Sequence, residues 1–271
     1  MTNWDFHEGD AIAPGLRAVR LLGGGRRYEA HLAWADRLRA LVVVKVVRPE
    51  QAGDAAALEG IRRETALLRA LAHPMLLRSF GAELDGDRPH LVLEHIEGPR
   101  LSTLLRRYGM SIEQVLPLAL NLCAVLHYLA QEDVVHLDVK PSNIIMGGEP
   151  RLIDLSIARR VHELGELVTP VGTKRWMAPE QTDVDRFGEI GPASDVYGLG
   201  GTLRAALPER VPASLAAAVD ACLAPRPGDR PAAGELADLL EPMVDALPAP
   251  RLGRFRPSPR RRNPHHQEVL R

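Results

Sequence analysis

The first third of the chain alternates short apolar runs with polar positions, which is the pattern of half-buried β-strands. Such runs cover "GLRAVRLLGGG", "YEAHLAWA" and "RALVVVKVVR". Two further strands are predicted within "LLRSFGAELDGDRPHLVLEHI", where Asp85 and Gly86 supply the turn between them. Between these two groups, residues 54 to 72 have helical periodicity. One helix face carries Leu58, Ile61, Glu64, Thr65 and Leu68.

After Gly98 the periodicity becomes mainly helical. A long amphipathic helix is predicted from Ser111, which has capping-box spacing to Gln114, as far as Gln131. Short strands return over residues 134 to 157, and a polar loop follows from Ala158 to Gln181. Three more helices are predicted near Ala193–Leu207, Ala213–Leu223 and Ala232–Leu240. We therefore expect an α+β fold with a small β-rich lobe (about 16–94) before a larger helical lobe (about 99–243).

Composition narrows the class of protein without indicating a function. Hydrophobic residues make up 45% of 271 residues, and the net charge of -1 does not favour a nucleic-acid or membrane partner. The N-terminus lacks a signal-peptide core, and we expect no apolar run that approaches the roughly 18 residues of a membrane span. Cys123 and Cys222 lack metal-ligand spacing, so we interpret them as reduced core thiols of a cytoplasmic protein.

The final residues differ in composition from the rest of the chain. From Pro248 the sequence reads "PAPRLGRFRPSPRRRNPHHQEVLR", which is rich in proline and arginine and poor in core-forming residues. This composition is typical of a disordered tail, which we assign to residues 248–271. An acidic partner that binds the arginines is the alternative to a purely solvated tail.

Polar side chains cluster between apolar runs in "VVHLDVKPSNIIM" and "RLIDLSIAR". Asp138, Asn143 and Asp154 all lie at predicted strand ends, where oxygen ligands suit a hard cation such as Mg²⁺. Lys140 is placed to neutralise phosphate charge. Each residue alone is more typical of a capped or solvated turn, so it is their combination that indicates a site.

The motifs "HLDVKPSN", "DLS" and "APE" resemble the catalytic loop, metal-binding triplet and activation-segment end of protein kinases. They occur in the family's order. The form of these motifs is similar to that of eukaryotic-like (Hanks-type) bacterial serine/threonine kinases. The resemblance covers residues 16–243. It implies a bilobal kinase fold, ATP with Mg²⁺ or Mn²⁺, and a protein substrate.

The resemblance assigns roles to the polar residues of the second lobe. Asp138 matches the catalytic aspartate that orients the substrate hydroxyl and accepts its proton. Lys140 matches the lysine that stabilises the transferring phosphoryl group, while Asn143 and Asp154 match the metal ligands. His136 matches a structural histidine that packs beneath the metal-binding triplet.

In the first lobe, "VVVK" makes Lys45 the lysine that binds the α- and β-phosphates, and Glu64 its ion-pair partner. The alternatives are an edge-strand lysine and a surface pair of Glu64 with Arg62 or Arg63. The glycine-rich loop and the hinge supply the other expected nucleotide contacts, from Leu22, Gly23, Gly24, Gly25, Ala30, Glu94 and Ile96, with Leu93 as gatekeeper.

Further residues match structural contacts of the family. Thr173 is expected to bond Asp138 and Lys140. Asp195 is expected to hold the backbone of the catalytic loop. Glu180, in "APE", is expected to pair with Arg230 in "PGDRP".

The sequence departs from the family pattern at several positions. Tyr28 replaces the third glycine of the loop, which we expect to weaken the approach of the backbone to phosphate. Leu137 replaces the arginine that normally pairs with a phosphorylated activation segment, so phosphorylation at Thr169 should not switch activity on. Leu155 and Ser156 replace phenylalanine and glycine in the triplet, which should restrict its flipping.

The largest departure is a shortening after the Asp195 helix. Only residues 207–212 separate this helix from the next, where the family usually has a helix that docks substrates. The expected function is a serine/threonine protein kinase. The alternatives are a pseudokinase that serves as a nucleotide-binding scaffold and a kinase that acts on a small molecule.

Overall fold

The first lobe is built around an antiparallel sheet. The computed structural model describes residues 2–167 and 169–248, and the expected tail lies outside this part of the chain after Pro248. Six strands form the sheet in the order β1-β2-β3-β4-β6-β5. Their bounds are β1 Ala11–Ala13, β2 Leu16–Gly24, β3 Tyr28–Ala35, β4 Ala40–Val47, β5 Ser79–Glu83 and β6 His90–Glu94.

Helix α1, Ala55–Ala70, packs against this sheet. Asp54 caps it by accepting the backbone N–H of Ala57 at 2.7 Å, because a helix leaves its first N–H groups unpaired. Ile61 and Glu64 lie on the buried face of the helix. The sheet and α1 together form the expected β-rich lobe, and α1 differs from its expected bounds by no more than two residues.

The second lobe is mainly helical around one large apolar core. Its helices are α2 Leu101–Arg107, α3 Ile112–Gln131, α4 Val184–Phe187, α5 Pro192–Ala206, α6 Ala213–Cys222 and α7 Ala233–Asp245. Two short strand pairs carry the catalytic loop: β7 Val134–Val135 with β10 Arg159–Arg160, and β8 Ile144–Met146 with β9 Pro150–Leu152. The α+β bilobal architecture is as expected.

Helix α3 corrects one expectation from the sequence. By length and composition it is apolar enough to cross a membrane, whereas we expected no such segment. Half of its most apolar stretch is buried inside the protein. Residues such as Val115, Leu122 and Leu129 belong to the core of the second lobe, which explains why the helix is so apolar.

The expected shortening is present in the structure. Helix α5 ends at Ala206 and α6 begins at Ala213, with no helix between them. Helix α7 is longer than expected, since it continues through Pro242 to Asp245. Cys123 and Cys222 are buried and form no disulfide, and burial raises the pKa of their thiols to about 12 and about 11.

The residues before β2, for which the sequence predicted no element, lie against the sheet. The Trp4 indole N–H donates to the Val47 carbonyl at 2.8 Å. The Phe6 ring meets His31 edge-on, with ring centroids 5.2 Å apart. Ile12 is 1% exposed within the apolar layer of this face. Residues 2–13 therefore cover one face of the β-rich lobe.

Candidate functional site

Asp138 is the centre of a compact polar cluster in the second lobe. It follows β7 and is buried, with 9% of its surface exposed. The Thr173 hydroxyl donates to one carboxylate oxygen at 2.8 Å, and Lys140 Nζ donates to the other at 2.5 Å. Lys140 Nζ also donates to the Thr173 hydroxyl oxygen at 2.5 Å. The expected contacts of Thr173 are thus present.

Asn143 is fixed by the same aspartate. Its side-chain N–H₂ donates to the Asp138 carbonyl and carboxylate, each at 3.0 Å. The amide oxygen is therefore turned away from Asp138. An amide oxygen in this orientation is free to face a cation, because its nitrogen already satisfies the neighbouring carboxylate.

Asp195 of α5 holds the turn before Asp138. Its carboxylate accepts the backbone N–H groups of His136 and Leu137 at 2.6 and 2.8 Å. Leu137 needs this support because its φ of 65° lies in a region that L-residues rarely adopt. Burial raises the pKa of Asp195 to about 6. The His136 ring lies 3.2 Å from the Ile153 carbonyl, next to the metal-binding triplet, as expected.

Lys45 joins the two lobes through a pair of carboxylates. Its Nζ donates to Glu64 at 2.6 Å and to Asp154 at 2.7 Å. Burial opposes the charge of Lys45, but Asp154 and Glu64 outweigh it and raise the lysine pKa. Burial likewise opposes the charge of Asp154, yet Lys45 holds the pKa of that carboxyl well below its usual range. Both groups are therefore charged at neutral pH.

Neither alternative for this pair fits the structure. Lys45 lies on β4, which is flanked by β3 and β6 and is not an edge strand. Glu64 is 1% exposed and also accepts the Leu155 backbone N–H at 3.2 Å. The neighbouring arginines pair elsewhere, Arg62 with Asp85 and Arg63 with Glu59.

The third residue of the metal-binding triplet is hydrogen-bonded to the first. The Ser156 hydroxyl donates to Asp154 Oδ1 at 2.8 Å. The positive φ in this triplet falls at Asp154, at 72°, and not at Ser156. Ser156 therefore needs no glycine-like backbone here, and restricted flipping of the triplet stays a prediction.

The glycine-rich segment forms the hairpin between β2 and β3. Gly23 pairs with Ala30, and the Gly25 N–H donates to the Tyr28 carbonyl at 3.0 Å. Leu22 and Gly24 lie on the same strand as Gly23. Arg48, which we did not single out, donates from Nε to the Gly25 carbonyl at 2.7 Å. The effect of Tyr28 on phosphate approach stays a prediction.

The expected hinge includes Glu94, the last residue of β6, and the residues after it. The Glu94 N–H donates to the Arg78 carbonyl at 2.9 Å, so an adenine contact of Glu94 falls to its carbonyl oxygen. Leu93 is 5% exposed in the core of the first lobe. Ile96 is half-buried against Gly147, in the connection between β8 and β9. The nucleotide contacts of both hinge residues stay predictions.

The end of the activation segment is held by a buried ion pair. Glu180 and Arg230 form two bonds of 2.7 Å, and both side chains are fully buried. Ser194 donates its hydroxyl to Glu180 at 2.7 Å. The sequence indicated the ion pair but not the serine, which is an ordinary helix-start residue by its local pattern.

A separate apolar cluster holds the start of the activation segment. Leu137 is 3% exposed and packs with Val135 and Leu164. Partly buried residues complete the cluster: Ile157, Leu167, Val171 and Ile190. Gln181, which sequence reasoning missed, donates to the carbonyls of Leu137 and Val171 at 3.1 and 2.9 Å. Leu137 thus replaces a charged anchor with an apolar one.

The oxygen donors of Asn143 and Asp154 fit a hard cation. Asp154 is ionised, and 38% of its side chain is exposed. Within residues 2–167 and 169–248, no three His, Cys, Asp or Glu side chains are grouped to hold a metal ion. Mg²⁺ commonly binds one or two protein oxygens and completes its shell with water and phosphate. Asn143 and Asp154 therefore offer the type of oxygen donor that this ion prefers, and their binding of a metal stays a prediction.

Comparisons with known proteins agree with this geometry. The family model described as "Protein kinase domain" matches residues 16–224. The serine/threonine-protein kinase PknB of Mycobacterium tuberculosis is 32% identical over 66% of this chain and 30% of its own length. The serine/threonine-protein kinase pkn2 of Myxococcus xanthus is 30% identical over 73% of this chain and 25% of its own length.

A plant relative matches over a shorter stretch. The mitogen-activated protein kinase kinase kinase 1a of Physcomitrium patens is 32% identical over 54% of this chain and 19% of its own length. The matched region thus spans less than a third of each of these relatives. Because the family model covers most of this chain and the relatives share its kinase region, the chain belongs to the protein kinase domain family.

Proposed function

We propose that this chain is a serine/threonine protein kinase that transfers the γ-phosphoryl group of ATP to protein hydroxyls. The observation that carries the proposal is the assembled polar site: the Lys45–Glu64 pair stands next to Asp154, and Asp138 is bonded to Lys140 and Thr173. Phosphoryl transfer depends mainly on positioning and charge stabilisation, which these residues are arranged to supply.

In this proposal each side chain has one task. Asp138 orients the substrate hydroxyl and accepts its proton. Lys140 offsets negative charge on the transferring group. Its Nζ lies 2.5 Å from the Asp138 carboxylate, and therefore next to the substrate hydroxyl that Asp138 would orient. Lys45 contacts the α- and β-phosphates and is kept charged by two carboxylates. A lysine two residues after the aspartate resembles serine/threonine kinases, which favours that substrate class.

The cofactors in this proposal are ATP and Mg²⁺, with Mn²⁺ as the alternative ion. Asn143 and Asp154 would hold the metal ion, which would neutralise charge on the phosphates. The hairpin from Leu22 to Ala30 and the hinge from Glu94 to Ile96 would enclose the nucleotide. We also propose a cytoplasmic location, supported by two buried thiols that form no disulfide.

The test is phosphate transfer from labelled ATP with Mg²⁺, using casein-like and basic protein substrates. We expect transfer by the wild type and a loss of roughly 10²- to 10⁴-fold in Asp138→Asn. Lys45→Met should lose about 10²-fold, because it removes a cation that stabilises the transition state. Asp238→Asn, an exposed position on α7, is the matched control and should be unaffected.

Nucleotide binding separates the proposal from its alternatives. A thermal shift with ATP and Mg²⁺ should be retained in Asp138→Asn, whose carboxylate acts on the substrate hydroxyl. Binding by the wild type without transfer to any substrate, with Mn²⁺ tried as well, would overturn the proposal in favour of a pseudokinase. Phosphate transfer to a small molecule, with none to any protein substrate, would indicate a kinase that acts on a small molecule.

A further inference from the structure

Tyr28 joins the glycine-rich hairpin to helix α1. Its side chain is buried, with 9% of the residue exposed, and extends from the start of β3 towards the helix. The hydroxyl donates to the Ala57 carbonyl, in the first turn of α1, at 2.8 Å. Burial raises the pKa of Tyr28 to about 12.

Helix α1 makes room for this hydroxyl with a glycine. A Cβ at Gly60 would lie 2.3 Å from the Tyr28 hydroxyl oxygen, closer than two atoms can approach. The same Cβ would lie 3.3 Å from the Ser156 carbonyl, in the metal-binding triplet. Glycine within a helix costs about 0.5–1 kcal/mol relative to alanine. At Gly60 the absence of a side chain lets Tyr28 of β3 and Ser156 of the triplet approach α1 closely.

Tyr28 also contacts Lys45, the lysine that pairs with Glu64 of α1. Lys45 Nζ lies 4.6 Å from the centre of the Tyr28 ring, within the range of a cation–π contact. Glu64, the partner of Lys45, is one helical turn after Gly60. One side chain therefore contacts both the lysine and the helix that carries the glutamate.

We propose that Tyr28 is a positioning residue that holds α1 where Glu64 can pair with Lys45. The Tyr28–Gly60 contact supplies this restraint from within the first lobe, without a phosphate group or a partner chain. Its effect on catalysis rests on the proposed kinase function, whereas its effect on the Lys45–Glu64 pair does not. Tyr28 would thus stabilise the ion pair at a position where the family has a glycine.

Three variants test the contact. Gly60→Ala should lower kcat roughly tenfold, measured well below its melting temperature, because the new methyl group displaces the helix. In the Tyr28→Phe background the same substitution should cost much less, since the closest remaining contacts would be the Ser156 carbonyl at 3.3 Å and a ring carbon at 3.5 Å. Tyr28→Phe alone should lose about two- to threefold. Gly53→Ala, with open space around it, is the control and should match the wild type.

A second readout does not require kinase activity. Lys45 is buried and paired, so its acetylation by acetic anhydride, followed by mass spectrometry, should be slow in the wild type. The rate should rise several-fold in Gly60→Ala and return in the double variant to that of Tyr28→Phe. This pattern would support the positioning role even if no variant transferred phosphate. A lack of transfer would refute only the proposed kinase function.

Folding of the variants is checked by melting temperature. If Gly60→Ala fails to fold and the double variant folds, the same coupling is shown by stability. Equal Lys45 acetylation in the wild type, Tyr28→Phe and every folded variant would overturn the proposal. Damage by Gly60→Ala that is as large in the Tyr28→Phe background as in the wild-type background would also overturn it, since the shortest contact, at 2.3 Å, is with the hydroxyl.

Discussion

The two ends of the activation segment are anchored by opposite kinds of contact. Its far end is fixed by the fully buried Glu180–Arg230 ion pair, which spans 50 positions of the chain. Its near end is fixed by the apolar cluster around Leu137. A buried ion pair depends strongly on both partners, whereas an apolar cluster distributes its stabilisation over several side chains.

The two anchors differ in whether the activation segment needs an added charge to be held in place. A charged anchor at Leu137 would need an added negative group on the segment as its partner. The apolar cluster needs none, because its partners are other hydrophobic side chains of the same chain. The contacts around Asp138 should therefore form without covalent modification. The following changes test each anchor, from the largest expected effect to the smallest.

Arg230→Met should break the charged anchor. Glu180 would stay buried without its partner, and we expect the free energy of unfolding to fall by about 3–5 kcal/mol. Denaturant unfolding measures this loss. Arg204→Met is the matched control, because Arg204 pairs with Asp220 at the surface and should contribute at most about 1 kcal/mol. A loss in Arg230→Met no larger than in the control would show that the two anchors do not differ in this way.

Leu137→Arg should damage the apolar anchor. A guanidinium placed among Val135 and Leu164 would be buried against apolar side chains, and we expect a loss of roughly 3 kcal/mol in stability. Leu137→Met keeps the volume and the apolar character, so it should lose less than about 1.5 kcal/mol. If both substitutions were tolerated equally, the cluster would not be the anchor of this end.

Thr169→Ala should leave phosphate transfer within about twofold of the wild type, because no arginine at position 137 awaits a phosphate. Thr169 is exposed in the segment. Transfer rates are compared after mass spectrometry has established the phosphorylation state of both proteins. Loss of activity with intact folding and intact ATP binding would show that the segment is phosphate-controlled after all.

A further test lies outside this comparison and concerns the Tyr28 hydroxyl in the other lobe. Its pKa of about 12 exceeds the ordinary value near 10, so folding favours the protonated form. Stability from this shift is complete below about pH 10 and is lost as the pH rises towards 12. Wild-type unfolding free energy should therefore fall faster than that of Tyr28→Phe between about pH 10 and 12. Parallel pH profiles in denaturant would exclude this contribution.

The sequence predicted the position of those site residues that lie next to short apolar runs or on a periodic strand or helix face. Asp138, Asn143 and Asp154 each stand beside a short apolar run, which indicated that they lie where short strands end. Lys45 and Glu64 could be placed because strand and helix periodicities fix which face each side chain occupies. The α+β lobes followed from the same periodicities.

Contacts between distant segments could not be predicted in this way. The cluster around Leu137 unites residues from Val135 to Ile190, and no local pattern marks its members. The Tyr28 hydroxyl lies close to Gly60, a residue that the helical pattern of α1 does not single out. The residues before β2 contain too few regularly spaced apolar positions to indicate that they would cover the sheet.

The extent of the folded unit has a practical consequence for anyone preparing fragments of this protein. A fragment cut at the family match, residues 16–224, would lose Trp4 and Ile12 from one side of the sheet. It would also lose Arg230 and all of α7, which packs against α3. Such a fragment would expose a buried glutamate and part of the core, and would be prone to aggregate. Fragments that begin by Thr2 and extend past Asp245 would retain both sets of contacts.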